Sequence, residues 1–194
     1  LGSTRAGKVV VETGKKYGNI IGKAYKRNEA GQIVVNDTGL PESVSDKVIG
    51  NIQPDWTGSI GNMLRYKDLV LSSLVDIRMG GDFISSTDNY ACQQGTAAKT
   101  IYGRQQGEQI IVDGVTADGK KNNVGLNAET YWTNIAGPEG IMEAFMHKGT
   151  YVKMRELSLG YILPQAWFAH MPIKYVKVSL VGRDLFYFYK AAPI

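Results

Sequence analysis

WTGSIGNMLRY, residues 56–66, runs into LVLSSLVDIRMG, residues 69–80, across only Lys67-Asp68. Two long runs that close together demand a tight antiparallel turn between strands. In the second run Leu69, Leu71, Ser73, Val75, Ile77 and Met79 fall on one face, while Val70, Ser72, Leu74, Asp76 and Arg78 fall on the other. One face is greasy and the other turns polar. A helix would scatter the polar groups around the cylinder, so a period of two fits better.

The same rhythm returns near the end of the chain. Tyr151 to Leu163 (YVKMRELSLGYIL) sets Leu157, Leu159 and Tyr161 against Glu156, Ser158 and Gly160. After a break at Pro164 to Pro172 comes IKYVKVSLVGRDLFYFY, residues 173–189. That run is well beyond the ~5–6 residues of an ordinary strand and suits a tall, tilted barrel wall. Phe186, Tyr187, Phe188 and Tyr189 cluster at one end, where amphipathic rings would sit at a membrane boundary. Upstream, Gly18 to Arg27 and Gln32 to Asn36, joined by Asn28-Glu29-Ala30-Gly31, read as a hairpin. Asp37 to Asp55 reads as a loop. Asp82 to Lys148 reads as a long polar loop punctuated by Asp113-Gly114, Asp118-Gly119 and Gly137-Pro138, with one short apolar run at Gln109 to Val112 and a helical turn or two over Pro138 to Phe145. A loop of that length inside a compact domain is unusual, and long outward loops on a barrel would account for it.

Composition agrees with strands and turns. The 194 residues are 43% hydrophobic and 21% charged, with 23 glycines and 11 tyrosines, which leans all-β. The formal charge of +4 comes from interspersed signs, too weak for nucleic-acid binding. Cys92 is the only cysteine, so neither an internal disulfide nor a thiolate metal site is expected. No stretch approaches the ~18 consecutive apolar residues of a membrane helix, but barrel strands need only ~9–11 residues and show alternation instead of net hydrophobicity.

Covalent chemistry finds little support. Residues 114–121 (GVTADGKK) nearly spell a phosphate-binding loop, yet Lys121 stands where Ser or Thr would hold magnesium, and Asp-Gly turns explain the stretch. His147 and His170 lie near no ligand cluster in sequence, and both read as surface histidines. Asp37, Asp46, Asp55 and Asp82 each sit in a turn context that accounts for them without glycoside cleavage. The chain is expected not to be an enzyme and to need no cofactor. Tyr90, Tyr102, Tyr131 and Trp132 lie in the long loop, where they either stack on sugar rings or meet a partner, or else form a small core packing the loop onto itself.

Several of these stretches together resemble one family. Ile49-Gly50-Asn51, Pro54-Asp55-Trp56, Asn62, Tyr66-Lys67 and Gly80-Gly81-Asp82 look like the "GN-x-x-PDW … N-x-x-x-YK … GGD" segment of SusC/RagA-type TonB-dependent transporters. Tyr151 to Tyr161 with Leu163-Pro164 resembles that family's "YVKLRELSLGY-x-LP" strand. Gly182-Arg183-Asp184-Leu185 resembles "GRNL", with Asp184 in place of the usual Asn. The resemblance runs from about Gly18 to Tyr189. It implies that residues 1–194 are a C-terminal part of a 22-stranded transmembrane β-barrel with long extracellular loops in a Bacteroidetes-type outer membrane, with the plug domain and final strand absent. The implied partners are a SusD-like surface lipoprotein, the TonB complex acting through the missing N-terminal part, outer-membrane lipid, and an oligosaccharide or peptide cargo.

Physics points the same way. About six strand-like runs cannot enclose a channel, since ~8 strands only just leave a filled lumen. Part of a larger barrel, or edges covered by neighbours, is therefore expected. The rival reading is a soluble β-sandwich that binds carbohydrate or mediates adhesion. The two separate on whether Leu71, Leu157 and Leu159 point outward or into a dry centre between stacked sheets.

Overall fold

A computed structural model describes residues 3–4, 7–170, 172 and 174–193. Its strands are β1 (Ser3–Thr4), β2 (Gly7–Val10), β3 (Asn19–Tyr25), β4 (Ser43–Asn51), β5 (Pro54–Tyr66), β6 (Leu69–Gly80), β7 (Asp82–Ile84), β8 (Ile110–Ile111), β9 (Gly125–Leu126), β10 (Met146–Lys148), β11 (Tyr151–Ile162) and β12 (Lys177–Lys190). Two helices, α1 (Ser86–Gln93) and α2 (Ala128–Ile135), lie between β7 and β10. The fold is mostly antiparallel β, and these helices qualify the all-β expectation. The chain divides into two compact units, Leu1–Gln53 with Asp82–His147, and Pro54–Gly81 with Lys148–Ile194.

The second unit is one four-stranded antiparallel sheet in the order β12-β11-β6-β5. Its strands have 13, 12, 12 and 14 residues from β5 to β12. The β5–β6 hairpin turns at Lys67-Asp68 as expected, with Tyr66 opposite Leu69 and Lys67 in the left-handed region at φ 52°. The last strand begins at Lys177, later than the sequence suggested, and Ile173 lies outside the described residues. Residues 165–168 instead make a single 3-10 turn. Among the described residues the sheet stays open, with β5 and β12 at its edges.

The first unit carries the sheet β1-β2-β3-β4 and the segment between β7 and β10. Here the structure corrects three expectations. Residues 43–51, read as loop, form β4, which pairs with β3 on one side only. An edge strand tolerates the exposed Ser43, Ser45 and Lys47 that hid it, and Asp46 sits in the left-handed region at φ 57° beside a register shift. The expected hairpin forms only next to its turn, where Arg27 bridges Ile33 and the Val34 amide donates to the Lys26 carbonyl at 2.8 Å; residues 32–36 do not continue along β3, which pairs with β2 and β4. The Asn28–Gly31 turn does form, with Gly31 at φ 80°, but Val34 and Val35 then bridge to Val115 and Pro41 and bury themselves.

The third correction is the long loop. It is a folded body with two cores, one of Val35, Val112 and Leu126 and one of Cys92, Ala136 and Phe145. Ser85 caps α1 by accepting from the Asp88 amide at 3.2 Å, and Asn127 caps α2 by accepting from Thr130 at 2.7 Å. Both helices are only eight residues long, too short to show much amphipathic period in the sequence. The helical turn expected over 138–145 is confined to Met142–Phe145.

Candidate functional site

The strand register sorts the side chains of the four-stranded sheet onto two faces. Directly opposed residues share a face, so Trp56, Ile60, Leu64 and Tyr66 of β5 lie with Leu69, Leu71, Val75, Ile77 and Met79 of β6. Val152, Met154, Leu157, Leu159 and Tyr161 of β11 join them, then Val178, Leu180, Phe186 and Tyr189 of β12. No Asp, Glu, Lys or Arg occupies this face at the paired positions. The opposite face takes Ser59, Ser72, Ser158, Ser179, Gly160 and the charged residues.

The greasy side is open. Leu71 is 39% exposed, Leu157 37%, Leu159 50% and Leu180 78%, and among the described residues of this unit there is one sheet and no second layer stacked on it. Trp56 and Tyr189 stand toward one end of the apolar field, with Tyr66 and Tyr161 at the other.

One irregularity makes the sorting work. Along β11 the apolar positions are 152 and 154, then 157, 159 and 161, and the period of two skips a beat at Arg155-Glu156. The structure places a bulge there, because Met154 faces Val75 while Glu156 faces Leu74. An extra residue shifts the parity of everything beyond it. Without the bulge, Val152 and Met154 would turn to the polar side. The skipped beat was visible in the sequence and is the signal that finds Arg155.

Ion pairs gather around this bulge on the polar face. Arg155 donates to Asp76 at 3.0 Å, Lys153 to Asp184 at 2.7 Å, and Arg183 to Glu156 at 3.0 Å. They tie β6, β11 and β12 together side by side. Asp184 adopts φ 49°, a conformation that Asn and Asp tolerate better than other side chains, which fits an Asp where the family motif has Asn.

The other motif residues build the end of the wall. Pro54 opposes Gly80 and Trp56 opposes Met79, leaving Asp55 as a bulge. Gly80 and Gly81 take φ 75° and 77°, and a Cβ on Gly80 would collide with the Asp55 carboxylate. In the first unit, the Asn51 amide donates to Asp82 at 3.1 Å, while Asn51 Oδ1 accepts from the Gln53 amide at 2.8 Å in an Asx turn. Asp46, Asp55 and Asp82 thus hold backbone irregularities or accept amides.

Among the aromatic candidates, Tyr131 and Trp132 on α2 are half-buried and meet edge to face at 5.1 Å. Tyr131 packs on the Val35 core and Trp132 on the Phe145 core. Burial pushes the Tyr131 hydroxyl above its ordinary pKa, as it does for Tyr25, with which it shares a hydrogen bond. Tyr90 on α1 and Tyr102, 60% exposed, face outward, and neither ring stacks on another among the described residues. The structure therefore joins two of the four and leaves two apart.

His147 is a correction. Its side chain is largely buried, with Nε2 3.2 Å from Asp88 Oδ2. Asp88 also accepts from Lys99 at 2.8 Å and from the Cys92 thiol at 3.5 Å. Burial alone would push the Asp88 pKa up, but the hydrogen bonds and charge of Lys99, with Cys92 and His147, hold it below the usual aspartate value. Burial raises the Cys92 thiol to about 11, which keeps it protonated and unreactive. Among the described residues no group of three or more His, Cys, Asp or Glu side chains is arranged to hold a metal ion. Residues 114–121 close a tight hairpin in which Val115 bridges Lys121 and Gly119 turns at φ 79°.

Long strands with one uncharged apolar face and one polar face define a class: wall of the kind that builds transmembrane β-barrels. No protein-family model matches the chain. In sequence it is 26% identical over 155 residues to TonB-dependent receptor P3 of Formosa agariphila, a match covering 79% of this chain. In fold it matches the RagAB peptide importer in its open-open state, with TM-score 0.55 at 16% identity over 95% of the chain, and in its closed-closed state, with TM-score 0.51 over 91%. The chain spans 14% of the curated relative's length and 21% of the importer chain in the open-open structure. Sequence and fold together bear out the resemblance to SusC/RagA-type TonB-dependent transporters.

Proposed function

We propose that this chain is a C-terminal part of the barrel wall of an outer-membrane TonB-dependent importer of the SusC/RagA type. The observation that carries this is the charge-free apolar face of β5, β6, β11 and β12. Tyr66 lies ten positions after Trp56. At ~3.3 Å per residue and a tilt near ~40°, that is a rise of about 25 Å, the height of the apolar band between the aromatic girdles of an outer-membrane barrel.

In this reading the greasy face meets lipid and the polar face lines the lumen of a barrel of 22 strands. The plug domain that answers TonB and the final strand belong to parts of the protein beyond these 194 residues. A SusD-like surface lipoprotein works with the folded segment between β7 and β10, where Tyr90 and Tyr102 present exposed rings to partner or cargo. The cargo is an oligosaccharide or a peptide, and the wall performs no covalent chemistry on it. A peptide gains some support from the importer whose fold is shared.

Spin labels placed singly at Leu71, Leu157, Leu180, Ser72, Ser158 and Ser179 of the intact transporter in membranes test the proposal. The leucine positions should collide with dissolved oxygen and the serine positions with a water-soluble nickel chelate. Equal access of the chelate to both sets would overturn it.

A further inference from the structure

The polar face of the four-stranded sheet is electrically lopsided. Along its strands, away from the Asp55 bulge and the Asp68 turn, its cations outnumber its carboxylates among the described residues, and Asp76, Glu156 and Asp184 already have a partner. Two cations near the Lys67-Asp68 turn have no carboxylate within ion-pair distance among the described residues, namely Arg65, which donates only to the Lys67 carbonyl at 3.1 Å, and Lys177. Lys177 folds over Gly160, whose missing side chain leaves room for it. Arg65, Val70, Gly160 and Ser179 occupy one row across the sheet. With strands ~4.8 Å apart, Arg65 and the Lys177 side chain flank a strip about 10 Å wide, floored by small residues including Ser158.

A face whose cations exceed its carboxylates, backed by an uncharged apolar face, concentrates a net positive field on the polar side. Two separated cations over a hydroxyl-bearing floor suit oxyanions spaced along an extended molecule better than one small ion. We propose that this wall favours anionic oligomeric cargo, bearing carboxylates or sulfates, and that Arg65 and Lys177 are contact points for it. The proposal rests on the importer reading and adds the charge of what is imported.

The test compares uptake by the intact wild-type transporter with uptake by an Arg65→Gln/Lys177→Gln variant. Four fluorescent cargoes are used: an acidic oligosaccharide, its carboxyl-reduced neutral counterpart, a glutamate-rich peptide and its glutamine counterpart. Wild type should prefer the acidic member of one pair, and the pair that responds names the source of the anions. The double variant should lose about fivefold to tenfold in acidic uptake, with neutral uptake unchanged. Arg65→Lys/Lys177→Arg should restore most of the preference. Equal wild-type uptake of acidic and neutral members overturns the proposal while leaving import intact, as does an equal loss of both in the variant. No uptake of any of the four overturns the import reading with it.

Discussion

Asn89 shows how single polar residues hold the inserted segment together. It is buried on α1, its carboxamide oxygen accepts from the Gly137 amide, and its Nδ2 donates to the Gly137 carbonyl at 3.3 Å. Asn89→Ala strands that buried amide, at a cost of about 1–3 kcal/mol. Protease cleavage within residues 82–147 of the intact transporter should quicken between about fivefold and a hundredfold; an unchanged rate would show that the latch contributes nothing. Asp88 gives a pH dependence. Its pKa is depressed in the folded state, so its stabilisation is present above the ordinary aspartate pKa of ~4 and fades as pH falls through the folded value. Asp88→Asn should lower the thermal midpoint at pH 6 and match wild type near pH 2. A gap that persists at pH 2 would mean that the carboxylate charge is not the cause.

At the scale of the element, the β11 bulge decides which face each side chain serves. Deleting Arg155 removes the extra residue and turns Val152 and Met154 toward the polar side, or else slips the register of the strand. The folded barrel, assayed by heat-modifiable migration in gels, should fall sharply, whereas Arg155→Gln keeps the bulge and should assemble. A paired experiment separates the faces. If the wall is as proposed, Leu157→Arg sets a charge against hydrocarbon near mid-wall, at about 2–4 kcal/mol, while Ser179→Arg adds one to the lumen side. Assembly should suffer in the first and not in the second; equal effects would remove the distinction between faces.

For the molecule as a whole, the apolar face leaves Ile60, Leu64, Leu71, Leu157, Leu159 and Leu180 exposed across four neighbouring strands, a contiguous patch of the kind that marks a contact surface, and among the described residues β5 and β12 present unpaired edges. The purified chain should therefore precipitate or associate when detergent is diluted below its micelle concentration. A monodisperse monomer in plain buffer, seen by light scattering, would contradict the membrane-wall reading. The two units also differ in their physics. One buries Val35, Phe145 and their neighbours in small cores; the other is a single sheet layer that leaves its apolar side chains outward.

The wall was legible in the residues themselves, because alternation in a strand is local: Leu69 to Gly80 and Tyr151 to Ile162 carry their two faces in their order of residues, whatever surrounds them. The family motifs were legible too, as was the turn at Lys67-Asp68. What the residues alone concealed depended on partners distant in the chain. Ser43 to Asn51 is a strand because β3 offers it an edge, and residues 32–36 pair back no further than Arg27 and Lys26 because Val34 and Val35 go on to bridge Val115 and Pro41. Tyr131 and Trp132 turn inward because Val112, Leu126 and Phe145 converge on α2, and His147 meets Asp88 across 59 positions of sequence. Local period determined the two-faced sheet; only long-range packing could decide the body inserted between its strands in sequence, since burial there is shared among residues that no window of sequence holds together.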